Sequence, residues 1–196
     1  MNSLRIFLIT LLLLPFGAPA EDANSGAKKL ESAVNDVLGI FRVAEGTAAK
    51  RHERILELIS PHFDFPLMAK LSLGKTHWPK DESKQTEFID AFIDQLVASY
   101  VGKIEGAVND KFTYDKPLVA KDRMKLKCSV QSGGEDFELI YQLHSKSGPW
   151  KIWDVEIEGI SIRKTFNRQY AEYLQKKSLD DLIAELRAKS AANSQP

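Results

Sequence analysis

Between residues 122 and 144 the chain reads DRMKLKCSVQSGGEDFELIYQLH, and this stretch decides the fold. From Asp122 to Gln131, Met124, Leu126, Cys128 and Val130 alternate with Lys125, Lys127, Ser129 and Gln131. That is the period of a strand with one face buried and one face wet. Ser132-Gly133-Gly134 supplies the residues of a tight hairpin turn. Phe137, Leu139, Tyr141 and Leu143 then line one face of a second strand, and Ser147-Gly148-Pro149 turns the chain again. Trp150 to Ile157 reads as a third strand, with Trp153, Val155 and Ile157 alternating. Consecutive strands joined by tight turns predict an antiparallel meander.

Outward from the meander the period changes from two to nearly four. Upstream, Ser83 to about Ile104 carries Phe88, Phe92, Leu96 and Tyr100 every fourth residue, with Ile89, Ile93, Val97 and Val101 beside them. So wide a stripe predicts a helix packed on more than one neighbour. Two shorter amphipathic helices are expected from Ala27 to about Val43 (Leu30, Val34, Val37, Leu38, Phe41) and from Arg51 to Ile59. Between Pro61 and Gly74, a turn leads into a short helix dense in apolar residues: Phe63, Phe65, Leu67, Met68 and Leu71. A segment this apolar must be covered by the fold or by a ligand. Downstream, Ser161 to about Lys176 carries Ile162, Phe166, Tyr170 and Leu174, and Ser178 caps a last helix. Helices, then strands, then helices make an α+β fold: a curved antiparallel sheet covered by several helices.

The first 20 residues read as an address rather than as fold. Arg5 precedes an apolar run from Ile6 to Leu14, and Ala18-Pro19-Ala20 offers a cleavage site, the layout of a secretory signal. Cleavage after Ala20 leaves a single domain over residues 21–190 and a loose, disordered tail over 191–196. Of the 27 basic and 27 acidic residues only Arg5 is lost with the leader, so the remainder is close to neutral. Nothing in that balance asks for nucleic acid. The single cysteine, Cys128, excludes an internal disulfide, and its strand position makes it a small core residue.

Signatures of chemistry are sparse. Gly159-Ile-Ser161-Ile-Arg163 resembles half of a nucleophile elbow, but Arg163 stands where the second glycine belongs, and Ser161 reads better as a helix cap. His52, His62, His77 and His144 are scattered without metal-ligand spacing; His62, in the aromatic turn, is the one to watch. No phosphate-cradling glycine loop is present. Arg163, Lys164, Arg168, Lys176 and Lys177 make one C-terminal helix basic, either as a docking or head-group face or as a solvated surface. What remains is a surplus of apolar residues that would line either a solid core or a hollow one.

Four stretches carry a resemblance. They are FDFPLMAKLSLG (63–74) with Trp78, EFIDAFIDQLVASY (87–100), WKIWDVEIEGISIR (150–163), and RKTFNRQY (163–170) running on to LDDLIAEL (179–186). Together, in this order, they resemble the MlaC or toluene-tolerance family of phospholipid-binding proteins, which has hopanoid-associated relatives. The resemblance implies a fold enclosing an apolar lipid cavity, a periplasmic location, and bound phospholipid as cargo rather than any cofactor or catalytic turnover. It implies shuttling between an outer-membrane lipoprotein complex and an inner-membrane ABC transporter with a ring-forming lipid-binding subunit. Membrane contact is then transient and made through these partners, in the service of outer-membrane lipid asymmetry.

The candidate lipid-binding residues combine pattern and resemblance. They are Phe63, Phe65, Leu67, Met68 and Leu71 in the aromatic segment, and Phe88, Phe92, Leu96 and Tyr100 on the long helix. Leu139, Tyr141, Trp153 and Val155 come from the sheet, and Ile160, Ile162 and Phe166 from the segment after it. Two other readings stay open. One is an enzyme of cone-shaped α+β fold acting on an apolar small molecule; the other is a periplasmic adaptor or chaperone using Phe63 to Leu71 as an exposed patch.

Overall fold

The computed structural model describes residues 22–43, 47–146 and 148–193. The expected leader lies outside these residues. Among the described residues, six helices and six strands follow the predicted order of helices, strands, then helices. Helices α1 (Ala23–Arg42), α2 (Ala48–Ile59), α3 (Phe65–Leu73) and α4 (Glu82–Gly106) come first. Strands β1 (Lys111–Tyr114), β2 (Leu118–Ala120), β3 (Arg123–Ser132), β4 (Glu135–His144), β5 (Lys151–Ile157) and β6 (Ile160–Ser161) come next. Helices α5 (Ile162–Tyr173) and α6 (Leu179–Asn193) close the chain, so helix continues into the stretch expected to be loose at 191–193. Among the described residues no helix is long and apolar enough to cross a membrane.

Each described helix starts where a short polar side chain takes a backbone N–H that the helix itself cannot satisfy. Asp22 accepts from the Ser25 amide, Thr47 from Lys50, Asp64 from Leu67, Asp81 from Lys84, Ser161 from Lys164 and Ser178 from Asp181, at 3.0–3.3 Å. Gly74 ends α3 at a φ of 83°, a conformation that costs a side chain energy.

The antiparallel sheet has the order β1-β3-β4-β5-β6, with β2 also on β3. The hairpin Ser132↔Glu135 turns on Gly133 and Gly134, both at positive φ, as a two-residue loop requires. Strands β1 and β2 are additions to the predicted meander; they pair with the two halves of β3 on its outer edge, either side of Pro117. A register shift between Gln142 and Leu143 corrects the reading of β5: Gln142 faces Asp154 and Leu143 faces Ile152, leaving Trp153 as the extra residue of a bulge. The bulge puts Ile152 in the core and breaks the alternation that had grouped Trp153 with Val155 and Ile157.

The inward face of β3 (Met124, Leu126, Cys128, Val130) is fully buried beneath the helices. An aromatic cluster joins α4 to α5: Phe88 meets Tyr170 edge-on at 5.9 Å and Phe92 meets Phe166 at 5.6 Å, with Trp78 edge-on to Phe88 at 6.3 Å. Helix α1 reaches the sheet through Gly26, where an added Cβ would stand 2.6 Å from Cδ1 of Trp150. Gly26→Ala is therefore expected to destabilise the fold by about 1 kcal/mol, since overpacking costs more than the alanine gains in helix propensity. A lower urea midpoint with unchanged slope would register this; an equal or higher midpoint would show that Trp150 yields without strain.

Candidate functional site: an apolar cavity between helices and sheet

The core is divided. One large cluster joins the sheet, the first half of α1, α3, α5, α6 and much of α4, while a small one gathers Val37, Ile55 and Val97 with residues of the second half of α1, α2 and the end of α4. Along the boundary lies a cavity of about 320 Å³, at the lower end of the roughly 300–1,000 Å³ of ordinary ligand sites.

Its walls follow from the elements. Helix α1 turns Leu30, Ala33, Val34, Val37 and Leu38 toward it, α2 contributes Ile55 and Ile59, and α4 contributes Leu96, Val97, Tyr100, Lys103 and Ile104. From the sheet come Phe112, Phe137, Leu139, Tyr141, Val155 and Ile157, with Ile162 from α5. His62, Phe63, Met68 and Ala107 complete the lining. The segment at His62 is held against the sheet by backbone bonds from Ile152 N–H to the His62 carbonyl (2.8 Å) and from Asp64 N–H to the Ile152 carbonyl (2.7 Å). Asp64 also bonds Nε2 of His144 at 2.7 Å, fixing the start of α3 to the end of β4.

The polar groups in the wall are few, and burial keeps the phenols neutral. Desolvation raises the pKa of Tyr100 and Tyr141, so both stay protonated at any physiological pH. A second depression, about 410 Å³, is an open dish bordered by polar residues of α1 and its cap, from Asp22 to Ser32.

Half of the sequence-derived candidates line the cavity: Phe63, Met68, Leu96, Tyr100, Leu139, Tyr141, Val155 and Ile162. The others lie elsewhere. Phe88, Phe92 and Phe166 form the solid aromatic cluster, and Phe65 stacks on Phe63 at 5.0 Å within the core. Leu67 is half-buried on α3, and Leu71 is exposed. Trp153 lies between the guanidinium groups of Arg123 (5.2 Å) and Arg163 (5.7 Å), and Ile160 projects from the β5–β6 turn, 65% exposed. Sequence reasoning named none of the α1 or α2 wall as site residues, and missed Phe112 and Lys103 as well. The apolar stripe of α1 was visible, but a stripe does not say whether it meets side chains or a void.

The other sequence candidates resolve locally. Ser161 is buried, donates to Asp154 Oδ2 at 2.6 Å and caps α5, so it serves the helix start. Cys128 is fully buried, and burial pushes its thiol up to about 11. At pH 8 about one such thiol in a thousand is ionised. Iodoacetamide at that pH is expected to leave the folded protein unlabelled and to label it fully in denaturant; ready labelling of the native chain would mean that β3 opens. Among the described residues no three His, Cys, Asp or Glu side chains gather as a metal site.

Comparison with known proteins bears on this geometry. The family model described as MlaC protein matches residues 31–188. The toluene tolerance protein Ttg2D of Pseudomonas putida is 24% identical over 156 residues, covering 74% of this chain and 72% of that protein. A phospholipid-binding protein from Ralstonia solanacearum, solved in complex with a phospholipid, superposes with a TM-score of 0.75 at 22% identity. That match covers 86% of this chain and 98% of the other, and it shows a shared fold.

Proposed function

Because this chain belongs to the MlaC family, we propose that it is a non-catalytic carrier that holds a phospholipid by its acyl chains in the cavity between α1, α4 and the sheet. Its place is the periplasm, where it passes lipid between an outer-membrane lipoprotein complex and an inner-membrane ABC transporter bearing a ring-forming lipid-binding subunit. That traffic maintains the asymmetry of the outer membrane.

The observation that carries the reading is the cavity wall, which is almost wholly aliphatic and aromatic and is built from both layers of the fold. Each methylene moved from water into such a wall is worth about 0.8 kcal/mol, so two acyl chains bind tightly without any polar contact. A carrier of this kind needs no catalytic group and no sharp motif. The adaptor reading has less to stand on, because Phe65 and Met68 are buried and, of the segment's phenylalanine, leucine and methionine side chains, only Leu71 is exposed.

Native mass spectrometry of protein purified from a Gram-negative periplasm without detergent tests the proposal. An adduct of phospholipid mass, identified as lipid after organic extraction, is expected. A bare chain from every preparation, together with failure to load from vesicles, would overturn it.

A further inference from the structure

One residue of the cavity wall differs from all the rest. Among the described residues, Lys103 is the only charged residue that lines the cavity and the only lining residue that is exposed. It stands in the last turn of α4, beside Ala107, whose amide bonds the Lys103 carbonyl at 3.2 Å. The contrast with fully buried Leu38, Ile55 and Met68 in the same wall marks Lys103 as the mouth.

The Lys103 ammonium packs on an aromatic ring. Its Nζ rests over the Tyr100 ring at 5.3 Å, and no carboxylate pairs with it among the described residues, although Glu105 and Asp110 are near in sequence. A second cation stands close by: Arg42, at the end of α1, donates to the Val108 carbonyl at 3.2 Å, one residue beyond lining Ala107. A lysine resting on an aromatic face keeps its N–H donors largely available. An oxyanion offered there gains a hydrogen bond in which both partners are charged.

We infer that Lys103, supported by Arg42, receives the phosphate of the lipid whose chains fill the cavity, so that the carrier selects phosphate-bearing diacyl lipids over uncharged lipids of the same apolar bulk. The inference rests on the proposed lipid-carrier function and narrows it. Acyl chains inserted toward Met68 bring the glycerol to the mouth, and the phosphate attached to it meets Lys103. A lipid without phosphate, such as a diacylglycerol or a plain hopanoid, fills the same cavity and leaves the ammonium unanswered.

The test is competitive loading. Delipidated protein is equilibrated with vesicles of dioleoyl phosphatidylglycerol, dioleoyl phosphatidylethanolamine and dioleoylglycerol in equal amounts, and the bound lipid is quantified by mass spectrometry. Glycerol phosphate is added in a separate arm to ask whether a free phosphate suffices. Wild-type protein is expected to load both phospholipids ahead of dioleoylglycerol, and Lys103→Gln to shrink that preference by about three- to tenfold. Lys103→Glu is expected to abolish it, while Lys121→Glu, an equal charge change at a remote turn, leaves it intact. Glycerol phosphate should not compete, because it lacks the chains.

Three results would overturn the inference. Preference that persists undiminished in Lys103→Gln and Lys103→Glu removes Lys103 from lipid selection and leaves the carrier reading standing. Displacement of lipid by glycerol phosphate would make the mouth a free-phosphate site. Failure of wild-type protein to load any of the three lipids would remove the carrier reading as well.

Discussion

Ala33→Trp is expected to empty the protein of lipid while leaving it folded. Ala33 lies on the cavity side of α1, among Leu30, Val34 and Val37, and is 7% exposed. An indole built there projects into space that the fold already leaves vacant, so it meets little of the strain that overpacking a solid core brings. It also occupies room that acyl chain would take. Displacing about six methylenes forfeits roughly 5 kcal/mol of burial, which is more than a thousandfold in affinity. Native mass spectra of the variant should show bare chain where the wild type shows an adduct, with unchanged circular dichroism and an equal or higher melting temperature. A folded variant carrying as much lipid as wild type would place the cargo outside this cavity.

The largest effect on stability is expected at Asp154. This carboxylate is 2% exposed and accepts from the amides of Val155 (2.9 Å) and Arg163 (3.1 Å) and from the Ser161 hydroxyl (2.6 Å), with Arg163 Nε at 3.5 Å. These bonds tie the end of β5 to the start of α5 across the β5–β6 turn. Asp154→Ala removes every one of them and leaves three donors and a guanidinium without their acceptor. Breaking a buried, hydrogen-bonded pair by deleting one member costs about 3–5 kcal/mol. For a chain of this size the melting temperature should fall by roughly 6–20 °C. Asp154→Asn, which keeps two acceptor positions, should fall between the two. A loss below about 1 kcal/mol in Asp154→Ala would mean that water replaces the carboxylate, and the corner would then not depend on it.

The same corner explains why part of the site was legible and part was not. The segment WDVEIEGIS is distinctive because several constraints meet in it: Trp153 is bulged between two guanidinium groups, Asp154 gathers three donors, Gly159 turns at a φ of 74°, and Ser161 caps α5. Capping, turn residues and long periodic stretches are local, so the six helices and the β3-β4-β5 meander could be read from the chain. The bulge is not local. It is a choice of register between β4 and β5, and strict alternation misplaced Trp153 for that reason. Strands β1 and β2, four and three residues long, carry too few side chains for a period to show. Phe88 and Phe92 share a stripe with Leu96 and Tyr100, yet the first pair meets Trp78, Phe166 and Tyr170 and the second meets empty space. Periodicity reports which face is covered; what covers it depends on partners distant in the chain.

The division of the core has a consequence for how the molecule comes apart. A solid core couples every element through shared packing, but here the α2 cluster and the sheet cluster meet across a seam. Acyl chains placed in the cavity would touch Val37, Ile55 and Val97 on one side and Tyr141 and Val155 on the other, and would so act as the missing piece of interior. The loaded carrier should unfold as one cooperative unit, stabilised by mass action in proportion to its lipid. The empty carrier should open in two steps, with amides of α2 and the C-terminal half of α1 exchanging with deuterium well before those of β3 and β4. If the chain hands over a lipid as proposed, the release would turn one folding unit into two, with α2 and the C-terminal half of α1 the part that loosens.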